Sequence, residues 1–299
     1  MVDQSTLWLS KAKFWILLIL SIPSSILAIL IMIHFFHKRH NISMNQHFIV
    51  ILIVTSFLHT IGDLSFIMDY YQHGRVSFSS KFFCTLWNWW EYSSNIVLLY
   101  PMAWTSIERH FIIFHHKLMS TRRKRFFFHL LPLFITSVYP LIFYFGAIVL
   151  NPCKNQWDYD EVFCLLPCYV TDQPSVATFN FIGNIMFPTF VITIANVYLI
   201  LRVLRQKRNH HVNWRRQRKL TKQLVSIAIL YIIFWFPMAI NGLIMTFMSS
   251  SVLLYIQVNY FFFLLNMIPI ILPFISMNYL TGFMNAINHR QNRTIIPAL

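Results

Sequence analysis

Residues 84–114 read CTLWNWWEYSSNIVLLYPMAWTSIERHFIIF, a stretch long enough to cross a bilayer that nevertheless holds Asn88, Glu91, Asn95, Glu108 and Arg109. Crossing the hydrocarbon takes about 20 helical residues at ~1.5 Å each. Six other stretches meet that length with fewer polar interruptions: 14–36, 46–68, 126–149, 179–204, 222–247 and 252–279. Segments of this kind must be helices, because a lipid-exposed backbone satisfies its hydrogen bonds only within itself. With 84–114 as the third of them, the chain crosses seven times. The first span is too long for the core of a cleaved leader and no small-residue cleavage site follows it, so it is read as retained.

Composition points the same way. Of 299 residues, 57% are hydrophobic and 11% charged, against roughly 25% charged in an ordinary soluble domain. Disorder is excluded by these values, and four cysteines in so long a chain cannot be its main staple. The formal charge of +15 would suggest nucleic acid if the bases formed one stripe on a soluble surface. They lie instead between apolar runs, and no nucleic-acid partner is expected. The expected architecture is an all-α seven-helix membrane bundle spanning 14–279, with a short N-terminal segment 1–13 outside and an amphipathic helix and tail over 280–299 inside.

The sides follow from the short connections. On one side lie Lys38, Arg39, Lys117, Arg122, Arg123, Lys124, Arg125, nine Lys and Arg between Arg202 and Lys222, Arg290 and Arg293, a total of 18. The other side has five, Lys11, Lys13, Arg75, Lys81 and Lys154, and Arg109 within a span completes the 24. The positive-inside rule therefore puts the N-terminus outside and the C-terminus in the cytosol. Asp3, Asp158, Asp160, Glu161 and Asp172 fall outside, in agreement.

All four cysteines then lie on the outer side, Cys84 at the start of the third span and Cys153, Cys164 and Cys168 in the connection before the fifth. An even set facing an oxidising space implies two disulfides. One ties the third span to that connection, through Cys84 with Cys164 or Cys168, and the other closes within it.

Several short motifs occur together on this frame. Glu108-Arg109-His110 ends the third span 25 residues after Cys84, Trp235-Phe236-Pro237 lies in the sixth, Pro188 in the fifth, and Leu272-Pro273-Phe274-Ile275-Ser276 in the seventh, followed by Phe283. Over nearly its whole length the chain resembles the rhodopsin-like (class A) G-protein-coupled receptors. In that family an Asp/Glu-Arg-Tyr motif ends helix three, Trp-x-Pro marks helix six and Asn-Pro-x-x-Tyr marks helix seven. The resemblance implies a multi-pass plasma-membrane receptor without enzymatic activity, its partners being an extracellular ligand, a heterotrimeric G protein and the lipid bilayer, with no cofactor.

Departures from the family pattern are specific. Pro23-Ser24-Ser25 replaces the usual Gly-Asn of helix one, and counting from Asn45 puts Thr55 where helix two carries aspartate, with Asp63 two turns further on. Leu272 and Ser276 stand where helix seven has Asn and Tyr, which departs from the family's sodium site. Twenty residues before Pro237, Gln217 occupies the place of the acid that locks the arginine at rest.

For the activating parts, Arg109 is an ionisable group near the membrane boundary, where such groups are costly and usually functional. Glu108 beside it is the expected restraint at rest, His110 completes the motif, and the plainer role for Arg109 is to snorkel to the headgroups. Pro237 removes a backbone hydrogen bond and kinks helix six, leaving Trp235 placed to sense packing above the kink. Pro273 is its counterpart in helix seven.

Glu91 is the sharpest ligand clue, lying seven residues after Cys84 and 18 before Arg109, where the resemblance implies the aspartate of amine receptors. A carboxylate there among Trp87, Trp90 and Tyr92, with Trp235 across the cavity, suits an ammonium by charge pairing and cation–π contact. The alternative is a carboxyl kept protonated by desolvation, or one hydrogen-bonded to His59 or Asn95 in a structural network.

Two other classes compete. A histidine-bound metalloenzyme could draw on His34, His37, His40, His110, His115, His116, His210 and His211 near the inner face, but their spacings do not repeat and no carboxylate accompanies them. A transporter or channel is compatible with seven helices, but paired broken helices in two related halves are not seen. The sequons at Asn41 and Asn292 fall on the inner side and should carry no glycan.

Overall fold

A computed structural model describes the backbone of residues 4–37, 44–114, 121–206, 214–247 and 251–277. Lys38, Arg39, His40, Asn41, His115, His116, Lys117, His210, His211, the side chains of the basic stretch from Arg202 to Lys222, and the 280–299 segment with Phe283, Arg290, Asn292 and Arg293 lie outside the described residues.

Among the described residues, seven helices form the bundle. They are α1 (Gln4–His37), α2 in two pieces (Met44–Ile61 and Asp63–His73), α3 (Lys81–Phe114), α4 (Arg122–Val149), α5 (Pro174–Phe179, continuing through Phe187–Gln206), α6 (Trp214–Phe247) and α7 (Val252–Met277). Six are apolar enough to qualify as membrane spans by hydropathy, and α3 is the one that does not. The reason is its position. It packs against α2, α4 and α5, and Asn88, Glu91, Ser93, Ser94, Asn95, Thr105, Ser106 and Arg109 on it are all buried. A helix surrounded by other helices needs no lipid-compatible surface.

The remaining helices show the inverse pattern. Trp15, Ile19, Ile22, Ile26 and Ile33 of α1 and Phe134 and Ile142 of α4 face outward, whereas polar residues collect inside, as expected where the solvent is hydrocarbon.

Differences from the sequence expectation concern helix ends. The helix α1 begins at Gln4, ten residues before the apolar window at 14, so most of 1–13 is helix rather than tail. Lys13, counted above among the outer connections, is in fact only 6% exposed. Its Nζ donates to the Asn259 carbonyl at 2.6 Å and sits 5.4–5.6 Å from the Tyr71, Tyr260 and Phe263 rings.

Local irregularities follow from particular residues. Near Pro188, which cannot donate to the carbonyl four residues back, α5 widens into a π-helical stretch over Asn180–Met186. The extra space is filled by a hydrogen-bonded group: Tyr144 Oη donates to Asn180 Oδ1 at 2.6 Å, and Tyr100 and Tyr139 donate to Asn184 Oδ1 at 3.2 and 3.0 Å. These bonds join α3, α4 and α5. In α2 the break falls at Gly62, where a side chain would meet the Leu58 carbonyl and the Trp90 indole.

Two disulfides close one end of the bundle, Cys84–Cys164 and Cys153–Cys168. Of the two ties left open for Cys84, the structure forms the one to Cys164. Phe163, Cys164 and Leu165 hold left-handed backbone conformations, with φ of 59°, 56° and 75°, unusual for residues with side chains. They are held by the bridge, by Asn88 Nδ2 donating to the Phe163 carbonyl at 2.6 Å, and by burial of the Phe163 ring against Trp87 and Phe262.

Candidate functional site

Beneath Phe163 lies a narrow cavity of about 30 Å³, room for a water or two. Glu91 and Tyr92 of α3, Tyr144 of α4, Trp235 of α6 and Phe262 of α7 line it. The bundle thus brings together Glu91, Tyr92 and Trp235, three of the five residues named from sequence around the ligand. Trp90 does not line the cavity, and neither does Trp87. Its indole turns toward α2, where Nε1 donates to Asp63 Oδ1 at 2.6 Å, and its ring packs on Phe66, Phe83 and Phe163.

Two buried polar atoms among the cavity-lining residues have no hydrogen-bond partner, Oε2 of Glu91 and the Trp235 indole nitrogen. Such groups are costly in an apolar interior. A ligand offering positive charge and an acceptor would satisfy both.

Glu91 also looks toward α2. His59 Nε2 lies 3.9 Å from Glu91 Oε2 and 3.6 Å from Asp63 Oδ2, both longer than a hydrogen bond. Asn95 Nδ2 donates to the Glu91 backbone carbonyl at 3.0 Å. Asp63 and His59, one turn apart on a membrane helix, were legible as intramembrane ionisable residues. Their convergence on Glu91 required the fold.

At the opposite end, Glu108, Arg109 and His110 lie at the bundle's other mouth. Glu108 and Arg109 are buried. His129 Nδ1 of α4 lies 2.6 Å from Glu108 Oε1, and its Nε2 lies 3.1 Å from His47 Nδ1 on α2. His110 Nε2 bonds the Ala195 carbonyl at 2.9 Å with its ring against Tyr198, and Asn196 Nδ2 donates to Ser106 Oγ. The motif is therefore tied to α2, α4 and α5. No sequence signal marked His129 or His47, because their spacing to Glu108 carries no local pattern.

Pro237 and Pro273 sit within α6 and α7. Trp235 lies half a turn before Pro237, 2% exposed, and Leu272 and Ser276 flanking Pro273 are buried. Among the described residues the group of His, Asp and Glu close enough to hold a metal is His59, Asp63 and Glu91; of the inner-face histidines, His40, His115, His116, His210 and His211 lie outside the described residues.

Residues 27–291 match the family of 7 transmembrane receptors (rhodopsin family). The match covers most of the chain, from the second half of α1 onward, and the protein belongs to that family. It is a multi-pass plasma-membrane receptor, and the family is generally non-enzymatic. No curated protein matches the sequence.

Proposed function

We propose that this receptor binds a positively charged extracellular ligand in the cavity at Glu91 and activates a heterotrimeric G protein through the Arg109 end. The observation that carries this is the Glu91 carboxylate, buried beside aromatic rings with one oxygen unpartnered. A cation entering there gains a charge pair and the faces of Tyr92 and Tyr144, and it presses on Trp235, next to the kink at Pro237. The swing of α6 about that kink opens the end where Arg109 meets the transducer.

This reading sets the disulfide end outside. The 18-to-5 division of basic residues and the oxidising environment that disulfides need both support it. The cavity has room for no more than a water or two, so the site opens as ligand enters. Phe163, held in a strained backbone, is the part positioned to move.

The test is a G-protein activation screen in cells against cationic small molecules and basic peptides, with Arg109→Ala and Glu91→Gln beside the parent. A hit silenced by Arg109→Ala and weakened by Glu91→Gln is the expected result. A hit unaffected by Glu91→Gln sinks the cationic reading, and ligand-evoked ion flux without any G protein would favour the transporter class instead.

A further inference from the structure

We propose that His59, Asp63 and Glu91 form a binding site for one divalent transition-metal ion, with Zn²⁺ the best fit to the donors. An imidazole nitrogen and two carboxylate oxygens from α2 and α3 all lie within 4.8 Å of one another. The three residues are 0%, 0% and 4% exposed. Asp63 Oδ2 and Glu91 Oε2 have no hydrogen-bond partner, and no Lys or Arg among the described residues pairs with either carboxylate. Two carboxyl groups facing each other in an apolar bundle need either a shared proton or a counter-charge. One divalent ion supplies it and fills both vacant acceptor positions.

The surroundings fit a metal as well as the charges do. Four-coordinate Zn²⁺, with bonds of about 2.0–2.1 Å, sets its donors about 3.3–3.4 Å apart. The observed His59 Nε2 separations of 3.6 and 3.9 Å are within a small side-chain adjustment of that. Asn266 Oδ1 of α7 accepts the N–H of the same Nε2 at 2.8 Å, and Asn266 Nδ2 donates to the Phe262 carbonyl, which keeps that oxygen at the cluster as a fourth donor once an ion replaces the Nε2 proton. Ser94 Oγ, 2.8 Å from His59 Nδ1, holds the imidazole from behind, the usual support of a ligating histidine. A mixed nitrogen and oxygen set suits Zn²⁺ better than Mg²⁺ or Ca²⁺, which favour oxygen alone.

Because Glu91 also lines the cavity, ion and ligand share one carboxylate, so Zn²⁺ antagonises the cationic ligand. That consequence rests on the proposed function above; the binding itself does not.

The experiment titrates Zn²⁺ into the purified, chelator-treated full chain in detergent, by calorimetry, without ligand or G protein. We expect one saturable site, weakened about tenfold or more by Glu91→Gln or Asp63→Asn. His73→Gln, which removes the exposed His73–Asp69 pair at the surface, leaves it unchanged. Absence of saturable binding overturns the proposal, as does binding insensitive to both carboxylate variants or lost with His73→Gln. Should the variants not fold, Co²⁺ in the parent protein decides: visible absorption of a four- or five-coordinate nitrogen and oxygen site supports the proposal, and the faint spectrum of the hexaaquo ion refutes it. A negative signalling screen leaves this result untouched, and a negative titration leaves the receptor reading untouched.

Discussion

His129 Nδ1 lies 2.6 Å from Glu108 Oε1, with both side chains buried. The acid of the Glu-Arg-His motif is therefore gripped from α4, and through His47 the grip extends to α2. Removing one partner of a buried pair leaves the other unsatisfied, so His129→Leu is expected to destabilise the receptor by about 1–3 kcal/mol. Thermal unfolding in detergent measures it. Glu108→Leu in the His129→Leu background should then cost less than Glu108→Leu alone, and strict additivity of the two would show that the contact carries no coupling.

At the other end, Glu91 and Asp63 present unpartnered oxygens within the same buried cluster. Glu91→Gln places an amide donor beside Asp63 Oδ2 and removes one of the two ionisable carboxyls. With metal removed by chelator, that variant is expected to be more stable than the parent by about 1 kcal/mol while losing its response to a cationic ligand. Such opposition of stability and function is common at binding sites. Equal or lower stability would mean that the two carboxylates do not strain the ligand-free bundle.

Much of this is legible in the sequence, for identifiable reasons. Hydrocarbon demands length and internal hydrogen bonding, so seven spans could be read from the chain, and α3 could be recognised as the polar one because its place among other helices tolerates Asn88, Glu91 and Asn95. Less could be read where side chains meet across helices. Glu108 and His129 are 21 residues apart, and His129 and His47 are 82. Trp87 was expected at the ligand because it is one turn from Glu91, yet Asp63 holds its indole toward α2, away from the cavity lining. Lys13 looked like a loop residue because hydropathy windows end at charges, and three aromatic rings and a carbonyl make it an interior one.

The two disulfides should differ in weight. Cys84–Cys164 closes a separation of 80 residues and Cys153–Cys168 one of 15. Loop-closure entropy assigns them roughly 4.5 and roughly 3 kcal/mol respectively. Cys84→Ser with Cys164→Ser is therefore expected to lower the unfolding temperature more than Cys153→Ser with Cys168→Ser. It also frees the Phe163 segment to leave its left-handed conformation, so ligand affinity should fall in the first double variant and hold in the second. An equal loss of affinity in both would place the restraint on Phe163 elsewhere than in the bridge.

Trp235 allows stability and signalling to be separated. Its indole nitrogen is buried without a partner, a cost that phenylalanine does not carry, while the smaller ring forfeits some packing against the cavity wall. The two effects oppose each other at about 1–3 kcal/mol apiece, so Trp235→Phe should leave the unfolding midpoint nearly unchanged. If the ring transmits ligand packing to the kink at Pro237, the same variant lowers maximal G-protein activation while leaving receptor abundance at the surface as it was. Unaltered activation at matched expression would remove Trp235 from the path between the cavity and Arg109.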